Sequence, residues 1–338
     1  MGWLDRLRGV WRPEAFHYGP LLASGRRADV FEGWYLKLVD AEGRHPHALI
    51  PGVFLGQDAH AFVQLLDGAR GESWYHRYDL GDFSAAVDRF DVRVGESRFD
   101  RGGMELHLDP KHAGGGPAVE GRIEFGPFEP WPVRLFSPGV MGPYGFTPLM
   151  QCYHGILSLD HALAGTLLVD GEARCFDRGR GYSEKDWGRS FPLGYVWTQS
   201  NHFDREGVCL TASVATIPWV TGAFRGFIVG LWLDGELYRF TTYTGAAIDE
   251  LSVSDTSFHL RLSSRSHRLE IDSRKSEGAL LMAPYERQML ERVAESMTSQ
   301  VELRLLARAP DGDRLVFEGT GRHACLEAQG DLDRILDR

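Results

Sequence analysis

The stretch Gly179-Arg180-Gly181-Tyr182-Ser183-Glu184-Lys185-Asp186-Trp187-Gly188-Arg189-Ser190-Phe191-Pro192 sets two carboxylates, a lysine, two arginines and three aromatic rings between glycines. That composition is costly to bury and wasteful to expose, because the rings need apolar contacts and the charges need partners. Glycine at 179, 181 and 188 lets the backbone approach another surface closely. Read as an extended strand, the run places Tyr182, Glu184 and Asp186 on one face and Ser183, Lys185 and Trp187 on the other. Burial would raise the pKa of Glu184 or Asp186, and Lys185 or Arg180 nearby would lower it. Two readings are open: a buried ion-pair network bracing a bend, and a site whose ionisable groups are tuned for chemistry.

Outward from this run the chain reads as short strands. Residues 36–39, 48–55, 61–66 and 90–94 are apolar-rich, and Gly103–Leu108 and Val119–Phe125 tend to alternate. Turn residues separate them, which predicts an antiparallel sandwich or barrel. Residues 165–169, 195–199, 208–216 and 226–233 continue the pattern, and Asp234-Gly235 is a hairpin signal. Between lie Pro127, Pro130, Pro132, Pro138, Pro143 and Pro148, each lacking a backbone donor, so residues 126–148 cannot be a central strand. We read them as the crossing between two domains, residues 1–145 and 146–338. Tyr285, Met289, Val293 and Met297 recur every four residues after Pro284, which predicts one helix near the end. At the start, Trp3, Leu4, Leu7, Val10 and Trp11 fall on one helical stripe with Arg6, Arg8 and Arg12 elsewhere. Such a leader docks on the protein's own barrel or, alternatively, makes peripheral contact with a membrane through residues 1–12.

A net charge of -10 without a basic cluster argues against a nucleic-acid partner. Cys152, Cys175, Cys209 and Cys325 form no Cys-x-x-Cys pair and are too few to staple 338 residues, so a reducing compartment is expected. No secretory signal opens the chain, and its longest apolar run is too short for a bilayer-spanning helix. The expectation is a soluble, cytoplasmic protein, peripheral to membrane if the leader acts as an anchor.

The run from Gly181 to Pro192 resembles the signature of the tocopherol cyclase-like family. Further blocks agree in order: Phe31-Glu32-Gly33-Trp34-Tyr35-Leu36-Lys37, then Cys152-Tyr153-His154-Gly155 with Asp160-His161, then Trp197-Thr198-Gln199-Ser200-Asn201-His202-Phe203. With Ile217-Pro218-Trp219 and Gly230-Leu231-Trp232-Leu233-Asp234-Gly235, the resemblance covers nearly the whole chain. It implies an all-β fold of two lipocalin-like antiparallel β-barrels with a few short helices. It also implies closure of a prenylated hydroquinone to a chromanol by a cofactor-independent intramolecular lyase or isomerase. Carotenoid hydratases resemble it distantly in fold and alkene chemistry.

That reaction needs protonation of a trisubstituted alkene, attack by the phenol oxygen, and shielding of a tertiary carbocation from water. A carboxyl kept neutral by apolar surroundings supplies the proton, and aromatic faces stabilise the cation. Glu184 is the first candidate acid and Asp186 the second, with Tyr182 positioned to donate to Glu184. His154 could bond the quinol hydroxyl or accept its proton; an ordinary buried histidine is the competing reading. Trp34, Trp187 and Trp197 are read as lining the aromatic box, with Tyr153 also at the substrate. Gln199 and Asn201 share a strand face with Trp197, facing either a cavity or solvent. Asp160 and His161 are read as structural, and Glu32 as a brace to Lys185 or Arg189 across domains. His45 and His47 lack a completing pair, so no metal is expected, and no cofactor motif is present. The partner is thus an apolar prenylated or isoprenoid small molecule. Two other functions fit the same fold: a lipocalin-like carrier of an apolar ligand, and an isoprenoid alkene hydratase or isomerase.

Overall fold

The computed structural model describes residues 9–148, 150–219, 222–254, 256–285 and 287–336. The protein is all-β and antiparallel, as read from the sequence; α1 (Gly19–Ala23) and α2 (Asp333–Leu336) are short α-helices, and Gly9 and Val10 are also helical. It divides into two compact units, Met1–Phe191 with Leu280–Val293, and Pro192–Ala279 with Ala294–Arg338.

In the first unit the strands are β1 (Phe31–Val39), β2 (His47–Phe54), β3 (His60–Asp67), β4 (Glu72–Tyr78), β5 (Phe83–Ala85), β6 (Asp91–Val94), β7 (Ser97–Asp100), β8 (Gly103–Leu108), β9 (Val119–Phe125), the two-residue β10 (Val133–Arg134) and β11 (Ser137–Pro138), β12 (Cys152–Val169), β13 (Glu172–Cys175) and β14 (Gly179–Gly188). The main sheet runs β4-β3-β2-β1-β14-β12-β9-β8-β7-β6-β5. Among the described residues no ladder joins β4 to β5, so the sheet is not hydrogen-bonded into a closed barrel. It curls instead around one core, in which Trp34, Leu36 and Leu38 of β1 meet Val92 and Val94 of β6 and Met104, Leu106 and Leu108 of β8. Period-two alternation is what directs those residues inward.

The second unit carries β15 (Gly194–Ser200), β16 (His202–Phe203), β17 (Val208–Trp219), β18 (Gly222–Leu233), β19 (Glu236–Thr241), β20 (Ala247–Val253), β21 (Ser257–Ser263), β22 (His267–Arg274), β25 (Arg314–Gly330) and most of β24 (Gln288–Ala307), while β23 (Ala279–Tyr285) and the start of β24 fall almost wholly in the first unit. The second unit's ladder is β19-β18-β17-β15-β25-β24-β22-β21-β20 around a separate core. The Asp234-Gly235 turn joins β18 to β19 with φ of 50° and 86°, the positive pair a type I′ hairpin requires.

Three readings change. The units divide at Phe191/Pro192 and not within residues 126–148, because β12 and β14, which follow the prolines, are the strands that complete the first sheet. The helix expected over 285–297 is strand: Leu280–Val293 is a hairpin of β23 and the start of β24 that belongs to the first unit. Met282 N donates to Gln64 Oε1 at 2.8 Å, and Ser190 Oγ to Pro284 O at 3.2 Å, fastening it there. Of the amphipathic leader, residues 1–8 lie outside the described residues.

Candidate active site

β14 lies between β1 and β12, with Glu184 opposite Tyr35 on one side and Ile156 on the other. The alternation read from the sequence holds. Tyr182, Glu184 and Asp186 share one face, and the β12 register brings His154 beside Asp186 on that face. Tyr182 OH donates to Glu184 Oε2 at 2.5 Å, and His154 Nε2 lies 3.5 Å from the same oxygen. His154 Nδ1 meets Asp186 Oδ1 at 3.0 Å, so each ring nitrogen faces a carboxylate. All four candidate catalytic residues therefore form one chain of contacts. Tyr182 and Glu184 are buried, and His154 is nearly so. Burial works against a charged imidazole, yet Glu184 and then Asp186 outweigh it and push the His154 pKa up to about 9. At neutral pH His154 is thus an imidazolium between two carboxylates.

Among the described residues His154, Glu184 and Asp186 also place donor atoms within 4.8 Å of one another, close enough for a metal ion. His47 offers no metal site. Its Nδ1 bonds to Pro46 O at 2.9 Å, its Nε2 accepts from Arg174 at 2.6 Å, and burial lowers its pKa to about 4.

The opposite face of β14 holds a second buried cluster. Lys185 Nζ donates to Glu32 and to the Ala15 carbonyl, and to His17 Nδ1 at 2.7 Å, which uses all three of its protons. Its charge sits 4.8 Å from the Trp34 ring centroid and 4.7 Å from that of Trp187. Glu32 in turn accepts from the backbone N–H of His17 at 2.8 Å and of Tyr18 at 3.2 Å. Burial pulls the Lys185 pKa down to about 8 in spite of Glu32, while for Glu32 burial is overcome by Lys185 and the carboxyl stays below its usual range. Glu32 is therefore a brace, as read, but it ties Lys185 and the segment 15–18 together inside the first unit instead of reaching across domains. His17, stacked on Trp187 at 4.1 Å and 5°, carried no sequence signal because it stands in no motif and its partners are remote in the chain.

This arrangement separates residues that the sequence reading grouped. Trp34 is a core residue whose Nε1 donates to Glu14 O at 3.0 Å, and Trp187 shares its face, so neither lies on the Glu184 face. Tyr153 stacks on Trp187 at 5.5 Å and donates its hydroxyl to Thr147 O at 2.5 Å. Beyond Ile156, β12 bulges, and β9 pairs with it only from Leu163 onward, so, among the described residues, 152–156 carry a ladder on the β14 side alone. A cavity of about 710 Å³ lies here, lined by Val10, Phe16, His17, Tyr153, His154 and Trp187 among others. His154 thus belongs both to the carboxylate cluster and to the cavity wall. In the second unit Trp197, Gln199 and Asn201 alternate with Val196, Thr198 and Ser200, and Val196 enters the core. Gln199 and Asn201 are fully buried, which removes the solvent reading, and Gln199 Nε2 donates to Cys209 Sγ at 3.7 Å.

Asp160 pairs with Arg180, and His161 bonds Ser158 Oγ at 3.1 Å between Phe125 and Phe128. Both are structural. A Cβ at Gly181 would stand 2.4 Å from His161 Nε2, which explains the glycine. All four cysteines are free thiols. No described helix is long and apolar enough to cross a membrane.

Fold and site define an all-antiparallel protein with an ionisable cluster buried on one sheet face beside an aromatic-walled cavity. The chain belongs to the tocopherol cyclase-like family, whose model matches residues 134–330. It is 28% identical over 196 residues to the probable chloroplastic tocopherol cyclase of Oryza sativa subsp. japonica, and 26% identical over 191 residues to the chloroplastic tocopherol cyclase of Zea mays. Those matches cover 55% and 54% of this chain but only 40% of each plant protein. In fold it is similar to the crystal structure of CghA with Sch210972, at a TM-score of 0.55 and 11% identity over 89% of both chains.

Proposed function

We propose that this protein is an acid-catalysed intramolecular cyclase that closes a prenylated hydroquinone to a chromanol, with Glu184 as proton donor. One observation carries the reading: Tyr182, Glu184, His154 and Asp186 form a continuous chain of contacts, with Tyr182 and Glu184 buried, whose histidine also walls the cavity. Family membership and the named plant relatives support the same chemistry.

In the resting cluster the proton sits on His154, held there by the two carboxylates. The group that titrates is the network and not one residue. An apolar substrate beside His154 excludes water, which disfavours the charged pair relative to neutral imidazole and neutral carboxyl. The proton then moves from His154 to Glu184, giving a carboxylic acid next to an alkene. Glu184 adds that proton to the less substituted alkene carbon, the tertiary cation is captured by the phenol oxygen, and the phenol proton returns to the cluster. Atoms balance, so product and substrate have equal mass. Tyr182, donating to Glu184 Oε2, orients the carboxyl. Asp186 steadies the imidazole through Nδ1. The test is incubation of the pure protein with a panel of prenylated hydroquinones, scored for a mass-neutral product that lacks the alkene, alongside Glu184→Gln. A carrier of an apolar ligand is the second reading, favoured by the cavity itself; it predicts binding of the same compounds without conversion.

A further inference from the structure

β10 and β11 form a two-stranded ribbon outside the main sheet, and its turn carries Leu135 and Phe136. Phe136 is 80% exposed, Leu135 66% and Val133 42%. Single exposed apolar side chains are ordinary; three within four residues, with a phenyl ring and a leucine adjacent at a tip, form a patch that calls for a partner. The base of the ribbon is fixed. Trp131 and Pro138 are buried, Trp11 Nε1 donates to the Leu135 carbonyl at 3.1 Å, and the Trp11 ring meets Phe146 edge to face at 5.4 Å. The apolar tip is thus held in water by a well-anchored stem.

The surroundings fit a lipid surface better than a protein. Arg12 and Arg134 are exposed beside the tip, and neither forms an ion pair among the described residues. With a net charge of -10 the whole chain would be repelled by anionic lipid, so cations placed at this one point matter. Indole, guanidinium, phenyl and leucine side chains together match the layering of a bilayer interface, with polar groups at the phosphates and apolar ones at the acyl boundary. The patch is also continuous with the cavity, since Val10, Arg12, Pro138, Met141 and Phe146 line its wall.

We propose that the tip of the Val133–Pro138 ribbon is a membrane-docking element that seats Leu135 and Phe136 at the acyl boundary of a bilayer, with Arg12 and Arg134 at the lipid phosphates. Docking there places the cavity mouth at the lipid, where apolar isoprenoids are dissolved. Lipid binding is read without turnover, so its failure is distinguishable from failure of the cyclase reading.

The experiment is co-sedimentation of the full chain with vesicles of phosphatidylcholine alone and of phosphatidylcholine with phosphatidylglycerol. The protein should bind both, more tightly with the anionic lipid. A Leu135→Ser, Phe136→Ser variant, with circular dichroism and melting unchanged, should lose about ten-fold or more in partitioning. Arg12→Gln with Arg134→Gln should lose only the anionic increment. If the double serine variant does not fold, Phe136→Ser alone carries the test. Undiminished binding by the serine variant or no binding by the unmodified chain would overturn the proposal. So would self-association abolished by the serine variant in the absence of vesicle binding, since the tip would then be a protein contact.

Discussion

His154 makes the stability of this protein depend on pH with a sign and window that can be worked out. Its pKa is about 9 in the folded protein against an ordinary 6.5, so the folded state holds a proton that the unfolded chain releases. The stabilisation is therefore complete below pH 6.5 and is lost as pH rises toward 9. Other groups restrict the clean interval. His47, His76 and His161 have lowered values of about 4, 4 and 3, and their effect lies below 6.5. Lys185 at about 8 gives the opposite slope above pH 8, where the unfolded chain keeps a proton that the folded one has lost. Between pH 6.5 and 8.0 the His154 contribution should fall by about 1.5 kcal/mol, less than the full 1.36 kcal/mol per pH unit because the unfolded imidazole still holds half a proton at pH 6.5, with Lys185 offsetting a small part of it near pH 8. Urea unfolding at half-unit steps across that interval measures it. The unmodified protein should lose stability with rising pH, and His154→Gln should remove most of the slope. An equal slope in the variant would mean that His154 is not the imidazolium described here.

The Lys185 and Glu32 pair is a brace, so Lys185→Met alone should cost about 3–5 kcal/mol in chemical denaturation by leaving a carboxylate buried and unpaired, whereas Lys185→Met with Glu32→Gln should recover most of that loss. Gly181→Ala should destabilise by about 1–3 kcal/mol because its Cβ meets the His161 ring, and the loss should shrink when His161→Ala is combined with it in a double-mutant cycle.

Much of the candidate site was legible because strand alternation is rigid: once residues 179–188 are extended, Tyr182, Glu184 and Asp186 must share a face. Their meeting with His154 depends on the β12–β14 register, and nothing in the spacing of residues 154 and 186 specifies it. The same alternation carried Trp34 and Trp187 away from Glu184, although all three had been gathered into one box on chemical grounds. The helix expected near 285–297 failed for a simple reason. A spacing of four is a multiple of two, so Met289, Val293 and Met297 lie on one face of a strand as readily as of a helix. The proline-rich segment was read correctly as no central strand, but prolines report missing donors and not where contacts between units end. His17 was invisible because its value comes from stacking on Trp187 and bonding Lys185, both remote in sequence.

The central claim is that the proton passed through Glu184, and not the shape of its side chain, is what the site uses. Glu184→Gln keeps the volume and removes the acid, so the direct measurement is its turnover of a prenylated hydroquinone beside that of the unmodified protein and of Asp186→Asn. The account predicts that Glu184→Gln folds and binds the compound while product formation drops by about 10²–10⁴-fold, the usual cost of losing a general acid, with Asp186→Asn less impaired in turnover. Full turnover by a folded Glu184→Gln would contradict it.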